Sequence, residues 1–486
     1  MIYRRTFDRC LTVLLPAFCC LLVAPWTAMG TSKAEAAPAG DLEIDPLDWP
    51  YWRGPRFDGT SPETGLIDDF DPQGGEGSNV AWKRDDLGTR STPIVMHGKL
   101  YTLTRADAGT PIEGERVVCV DAATGETIWE NRFNVWLSDV PDTRVGWSSV
   151  TGDPTTGHVY ALGVCGYFQC INGETGETIW SVPLHEHFGL LSTYGGRTNF
   201  PLVFEDLVII SGVIIGWGDM AAPCHRFIAF DKLTGEVVWF NGTRPLPDDT
   251  TYSAPALAVL SGQQALVAGA GDGSVWAFHT RTGLPMWNFA FSRRGLNVAP
   301  VVKDGIVYTG HSEENNVGTA MGAVVAIDGS GNGNISGSGE KWRHFELMMG
   351  KCSPLVIDNR VYCFDDRAKV FVLDRSTGEQ IGRQRSLGTV MRASPLYADG
   401  KIYTADQSGR WYVLKPEEDS VAIVNKGRFR SESVDASPIC SHGRVYFTTS
   451  GGIYCLADPQ KKPGVDPLSP SPNEAPVAQD STPASV

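Results

Sequence analysis

The chain has 486 residues and a formal net charge of −15, with 20% charged and 42% hydrophobic residues. Such a composition supports a packed body, and the acidic balance argues against a nucleic-acid partner. Eleven cysteines in a chain this long are no disulfide scaffold, and no Cys-x-x-Cys suggests zinc.

Residues 1–36 read as a signal peptide. Arg4, Arg5 and Arg9 precede the apolar run Cys10–Pro25, and Ala34-Glu35-Ala36 is a small-x-small cleavage site. An uncleaved anchor is the alternative, disfavoured because the run is short and holds Pro16. Cleavage removes four basic and two acidic residues, leaving a mature charge of −17. The expectation is an exported protein, periplasmic or extracellular. No later stretch reaches ~18 uninterrupted apolar residues, so the mature chain should carry no span. A monomer is expected.

Residues 37–78 form an extended N-terminal segment rich in Pro, Gly and Asp, with an aromatic and basic cluster from Trp49 to Phe57. Four aromatics in so short a stretch favour packing onto the body over a partner-binding strip. Asn79–Lys83 then looks like a returning strand that ends in Trp82 and Lys83 but has no turn before it.

Copies of one unit follow, best displayed by Ala229–Trp239. An apolar strand ends at Asp231, Thr234-Gly235 allows a tight reversal, and Trp239 lies on the returning strand. The same eight-residue step runs from Asp121 to Trp129, Asn172 to Trp180 and His279 to Trp287. From Asp328 to Trp342 the step is fourteen, the extra residues falling in Gly329–Gly339, which reads as a flexible loop tip. After Asp374 the Trp position holds Gly382, so that contact should be looser. Each repeat opens on a small residue and usually Pro, as in Ser91-Thr-Pro93, Ser253-Ala-Pro255, Cys352-Ser-Pro354, Ala393-Ser-Pro395 and Ala436-Ser-Pro438.

Eight repeats of four strands imply an all-β, eight-bladed β-propeller of four-stranded antiparallel blades over residues 79–458. The eighth repeat stops one strand short at Leu456, and Asn79–Lys83 supplies its missing outer strand, closing the ring and removing an exposed edge. Seven blades would result if the seventh repeat were an insertion. Residues 459–486 are Pro- and Ser-rich and should be disordered. Cys165 and Cys170 flank an expected hairpin tip; a disulfide and a pair of small buried hydrophobes are both open readings.

The unit Ala229-x-Asp-x-x-Thr-Gly-x-x-x-Trp239 resembles the tryptophan-docking motif of the pyrroloquinoline-quinone (PQQ) dehydrogenase-like propeller superfamily, over about residues 79–458. The resemblance implies that Trp82, Trp129, Trp180, Trp239, Trp287 and Trp342 dock blade on blade. The overall form is most similar to BamB-type outer-membrane assembly factors and their non-enzymatic relatives. It implies an exported binding scaffold for a protein or peptide partner in the cell envelope, with no catalytic residue, no metal and no cofactor. The alternative that the superfamily implies is a quinoprotein alcohol or sugar dehydrogenase using PQQ with calcium. The sole adjacent cysteines, Cys19-Cys20, fall in the signal, so the stacking disulfide of alcohol-oxidising members has no counterpart in the mature chain.

Residues just before each innermost strand ring the mouth of a propeller's channel. They include Arg90, Trp147, Asn199, Tyr252, Asn297, Lys351, Arg392 and Asp435, with Arg144 and Arg197 beside them. A basic ring on an acidic protein suits a carboxylate, a phosphate or an acidic peptide. His311–Asn316 reads as a solvated acidic loop, and His185-Glu-His187 as a surface loop lacking a third ligand. No Gly-x-Ser-x-Gly, Walker loop or His-Glu-x-x-His is present.

Overall fold

The computed structural model describes residue 42 and residues 44–135, 144–190, 199–213, 225–243 and 251–466. The signal peptide, Arg197 and the tail beyond residue 466 lie outside the described residues.

Eight antiparallel four-stranded blades follow one another around a ring. The first holds Ile94–Met96, Lys99–Ala106, Gly114–Asp121 and Thr127–Asn134. The last holds Ile439–Ser441, Arg444–Thr449 and Gly452–Leu456, with Val80–Arg84 as its outer strand. Val80 pairs with Leu456, Lys83 with Tyr454 and Arg84 with Ile453, so the first strand of the body completes the final blade.

The repeated turn explains itself in hydrogen bonds. Asp121 Oδ1 accepts the N–H groups of Ala123 and Thr124, and Asp231 and Asp374 accept from the same two positions of their own turns. Thr124 Oγ1 then accepts Glu126 N–H, which sets up the glycine for positive φ.

The tryptophans join neighbouring blades. Each indole N–H donates to the carbonyl just after the turn-opening residue of the next blade: Trp82 to Ala122 (3.1 Å), Trp129 to Gly173 (2.9 Å), Trp180 to Lys232 (3.1 Å). Trp239, Trp287 and Trp342 do the same to Thr280, Gly329 and Arg375. A Cβ on Gly125, Gly176 or Gly235 would press into the ring of the preceding Trp at 2.7–2.8 Å, so the repeated spacing encodes an inter-blade contact as well as a turn. At Gly382 the absent indole is replaced by close backbone approach, since a Cβ there would collide with the Asp419 carbonyl.

Three expectations are corrected. The long turn of the fifth blade is docked rather than a loose tip: Gly333 and Asn334 pair in parallel with Trp287 and Asn288 of the fourth blade, and Ile335 is buried. Burying the lone large apolar side chain of that loop holds it down. Cys165 and Cys170 form no disulfide and both are buried, the second of the two open readings; what changes is the place of the hairpin tip. The hairpin tip lies at Gly163–Gly166, one turn earlier than expected, and Cys170 sits down the strand opposite Tyr160. Strand rise separates the two cysteines by more than ~10 Å, beyond disulfide reach. The start of the tail is not disordered, because Gly464 and Val465 pair with Thr64 and Glu63.

Residues 44–78 cross one end of the ring. Gly59 N–H donates to Arg53 O, Tyr397 N–H to Gly59 O and Asp399 N–H to Glu63 O. Trp49 and Tyr51 are buried, and Phe70 stacks on Trp411 at 3.9 Å. No helix among the described residues is long and apolar enough to cross a membrane.

Candidate functional site

In most repeats the residue three places before the proline, or before its equivalent, points toward the channel, and the next one is buried. Arg90, Trp147, Tyr252, Asn297, Lys351, Arg392 and Asp435 all hold that position and all line one cavity at the channel mouth. It encloses about 630 Å³ of empty space, including its open mouth. Asn199 does not join them. It stands two residues before Pro201, in the phase of buried Ser91 and Ser253, and its Nδ2 donates to Ser211 Oγ at 2.7 Å. Phe200 lines the cavity in its place. Arg144 is set outside the cavity lining, with its guanidinium 4.6 Å from the Trp147 ring centre.

Asp435 is the one carboxylate among the lining residues, and it is engaged on several sides. Arg90 Nε lies 3.2 Å from Oδ2, Arg392 Nε 3.7 Å from Oδ1, and Gln407 Nε2 donates to Oδ1 at 2.8 Å. Lys351 Nζ sits 5.8 Å from the Tyr252 ring centre and makes no ion pair with the described residues. Three cations against one carboxylate leave the cavity formally positive on an acidic chain. Trp147 meets Tyr252 edge-on at 6.2 Å, giving the cavity an aromatic wall.

The cavity has a floor that the sequence did not reveal. Trp52, from the N-terminal segment, lines it and packs on Phe200 at 5.1 Å. The segment arrives from the opposite end of the ring, where it also bonds the turns after the innermost strands: His97 N–H donates to Asp48, and Gly443 N–H to Glu63. Its anchor is Arg53, buried, whose guanidinium donates to the carbonyls of Pro395 (2.6 Å), Asp58 (2.8 Å) and Pro354 (3.3 Å). Burial pushes the Arg53 pKa down to about 10, partly offset by Asp58. A Cβ at Gly59 would collide with this guanidinium, so glycine is required there. Tyr51 Oη donates to Pro255 O at 2.6 Å. The channel is therefore a cup closed below.

The residues just before the prolines, and Ser149 before Val150, make a belt along five neighbouring blades of that cup. Ser353 N–H donates to Ser394 Oγ, Ser394 N–H to Ser437 Oγ, Ser437 N–H to Thr92 Oγ1, and Thr92 N–H to Ser149 Oγ, at 2.9–3.1 Å. The link from Ser437 to Thr92 crosses the ring closure. Thr92, Ser149 and Ser437 also present themselves to the cavity. The small residue before Pro was visible in the sequence, but its partner in the next blade was not.

The other candidates resolve as structure. His311 is buried, with Nε2 3.1 Å from Asn315 Oδ1, and burial pushes its pKa down to about 4, so the expected solvated loop begins inside the body. His185 and His187 belong to the single-turn helix Leu184–Phe188.

A calcium-assisted quinone centre needs several oxygen ligands converging on one ion. The cavity offers one carboxylate, already held by two guanidinium groups, and this donor set does not fit such a centre.

Comparison with known proteins agrees with the architecture. A family model described as "Outer membrane protein assembly factor BamB" matches residues 63–153 and 113–384. The protein of that name from Burkholderia pseudomallei is 23% identical over 338 residues, covering 69% of this chain and 77% of that protein. Among solved structures, BamB from Moraxella catarrhalis is similar with a TM-score of 0.50 at 16% identity, covering 74% of this chain and 98% of that one. Quinohemoprotein alcohol dehydrogenase from Comamonas testosteroni is similar with a TM-score of 0.56 at 13% identity, covering 84% and 80%. At such identities the structural likenesses speak for the fold alone. The family model spans well over half of the sequence, and the chain belongs to the BamB family of PQQ-like propellers.

Proposed function

We propose that the protein is an exported, non-catalytic scaffold that holds an acidic segment of a protein or peptide partner in the cell envelope. The observation that carries this reading is the cup: Arg90, Lys351 and Arg392 around a single carboxylate, walled by Trp147 and Tyr252 and floored by Trp52. Guanidinium and ammonium groups beside aromatic faces favour carboxylate-bearing side chains together with apolar ones. Family membership supports a role alongside protein partners, since the relatives are named as assembly factors. Export rests on the N-terminal basic and apolar run.

The test is capture from an envelope extract by the purified chain and by Lys351→Glu and Arg392→Gln variants, with identification by mass spectrometry. Both side chains are partly exposed, so the variants should fold. A partner that is lost with either variant, and released from the wild type by moderate salt, supports the reading. Capture that both variants leave unchanged would place the partner site elsewhere.

A further inference from the structure

The geometry points to a binding site for a divalent transition-metal ion of the zinc class, made by Asp45, Asp48 and His442, that clips the N-terminal segment to the ring. These three residues each offer one ligand atom, and the atoms lie within 4.8 Å of one another. They come from distant parts of the chain: two from the segment that crosses the ring, one from the first turn of the eighth blade.

The hydrogen bonds around the site fix which atoms face it. Ser441 Oγ donates its proton to Leu47 O at 2.8 Å, so it accepts from His442 Nδ1, also at 2.8 Å. The Nε2 of His442 meets Asp45 Oδ2 at 2.9 Å, a hydrogen-bonded contact that a bound ion would replace. His97, in the equivalent turn of the first blade, is held in a related way with the roles of its two ring nitrogens exchanged. Its Nε2 donates to the carbonyl of Pro154 at 2.9 Å, which turns Nδ1 toward Asp48 Oδ2 at 4.0 Å. An imidazole with one nitrogen spent on an outer acceptor and the other turned to a carboxylate has the usual outer shell of a metal-binding histidine.

An independent sign comes from Asp48. Its side chain is only 1% exposed, and Oδ1 has no hydrogen-bond partner. A carboxylate oxygen buried without a donor is costly, and a cation would satisfy it. Asp45 and His442 are 44% and 35% exposed at the side chain, which gives an ion a way in. Ligand atoms around tetrahedral zinc stand about 3.3 Å apart, so binding would draw the three side chains inward. Two carboxylates and one imidazole leave a fourth position, which His97 stands beside.

The experiment is titration of the full-length chain, stripped with a chelator, with Zn²⁺ against a competing chromophoric chelator, together with thermal unfolding with and without the ion. The expected result is one tight site per chain and a zinc-dependent rise in Tm. Asp48→Asn and His442→Gln should each weaken the site at least tenfold and abolish the rise, whereas His187→Gln, on the short helix, should change neither. His442→Gln is partly exposed and keeps a polar side chain, so it tests the site even if Asp48→Asn perturbs folding. No stoichiometric zinc in the wild type, or equal affinity in the wild type and both variants, would overturn the assignment.

Discussion

Trp82 and Gly125 meet across the ring closure: a Cβ built on Gly125 would come within 2.8 Å of the Trp82 indole, whose N–H donates to the Ala122 carbonyl of the same turn. The strand that carries Trp82 belongs to the eighth blade by hydrogen bonding, and Gly125 belongs to the first. One contact thus ties the ends of the ring together.

Loss of this contact should be measurable. Trp82→Ala should cost about 3–5 kcal/mol, as for other buried Trp truncations. Gly125→Ala should also destabilise, because φ there is +75° and the methyl group meets the ring. Chemical denaturation of both single variants and the double variant should show strong coupling, the glycine substitution costing less once the indole is gone. Additive effects would contradict the contact.

Arg53 should hold the floor of the cup. Arg53→Met leaves the Pro354 and Pro395 carbonyls without their donor, at about 1–3 kcal/mol each. The variant should unfold at lower denaturant and admit acrylamide to Trp52 more readily, seen as stronger quenching of tryptophan emission. Unchanged quenching and stability would show that the segment is held by other contacts.

Glu115 should make stability depend on pH. It is buried between the first two blades, its oxygens accept Gly146 N–H and Val164 N–H at 2.8 Å, and burial pushes its pKa up to about 7 from 4.5. A carboxyl with a raised folded-state pKa stabilises the fold fully below pH 4.5, and that contribution fades as the pH rises through about 7. The loss amounts to at most about 3 kcal/mol. Thermal unfolding between pH 5 and pH 8 should therefore show a smaller decline in Glu115→Gln than in the wild type. Identical slopes would contradict the assignment.

What could be read from the sequence follows from where the interactions lie. The eight-residue step from Asp231 to Trp239 was visible because the turn is local and the docking contact recurs in six of the eight blades. The mouth residues were visible wherever the proline kept the phase, as at Lys351 and Arg392. Asn199 was misplaced because it is one residue nearer its proline. The floor made by Trp52 and the hydroxyl belt from Ser353 to Ser149 depend on contacts between distant segments, which no local pattern records. The docked loop at Ile335 was missed because its glycines outweigh one apolar side chain whose pocket belongs to another blade.

The central claim is that the cup is a binding site and not a redox centre. Its most direct test is equilibrium dialysis of the purified chain with PQQ and calcium, followed by dye reduction with alcohols and sugars. The account predicts no stoichiometric quinone and no substrate-dependent reduction. One quinone bound per chain, with turnover that Lys351→Glu abolishes, would contradict it.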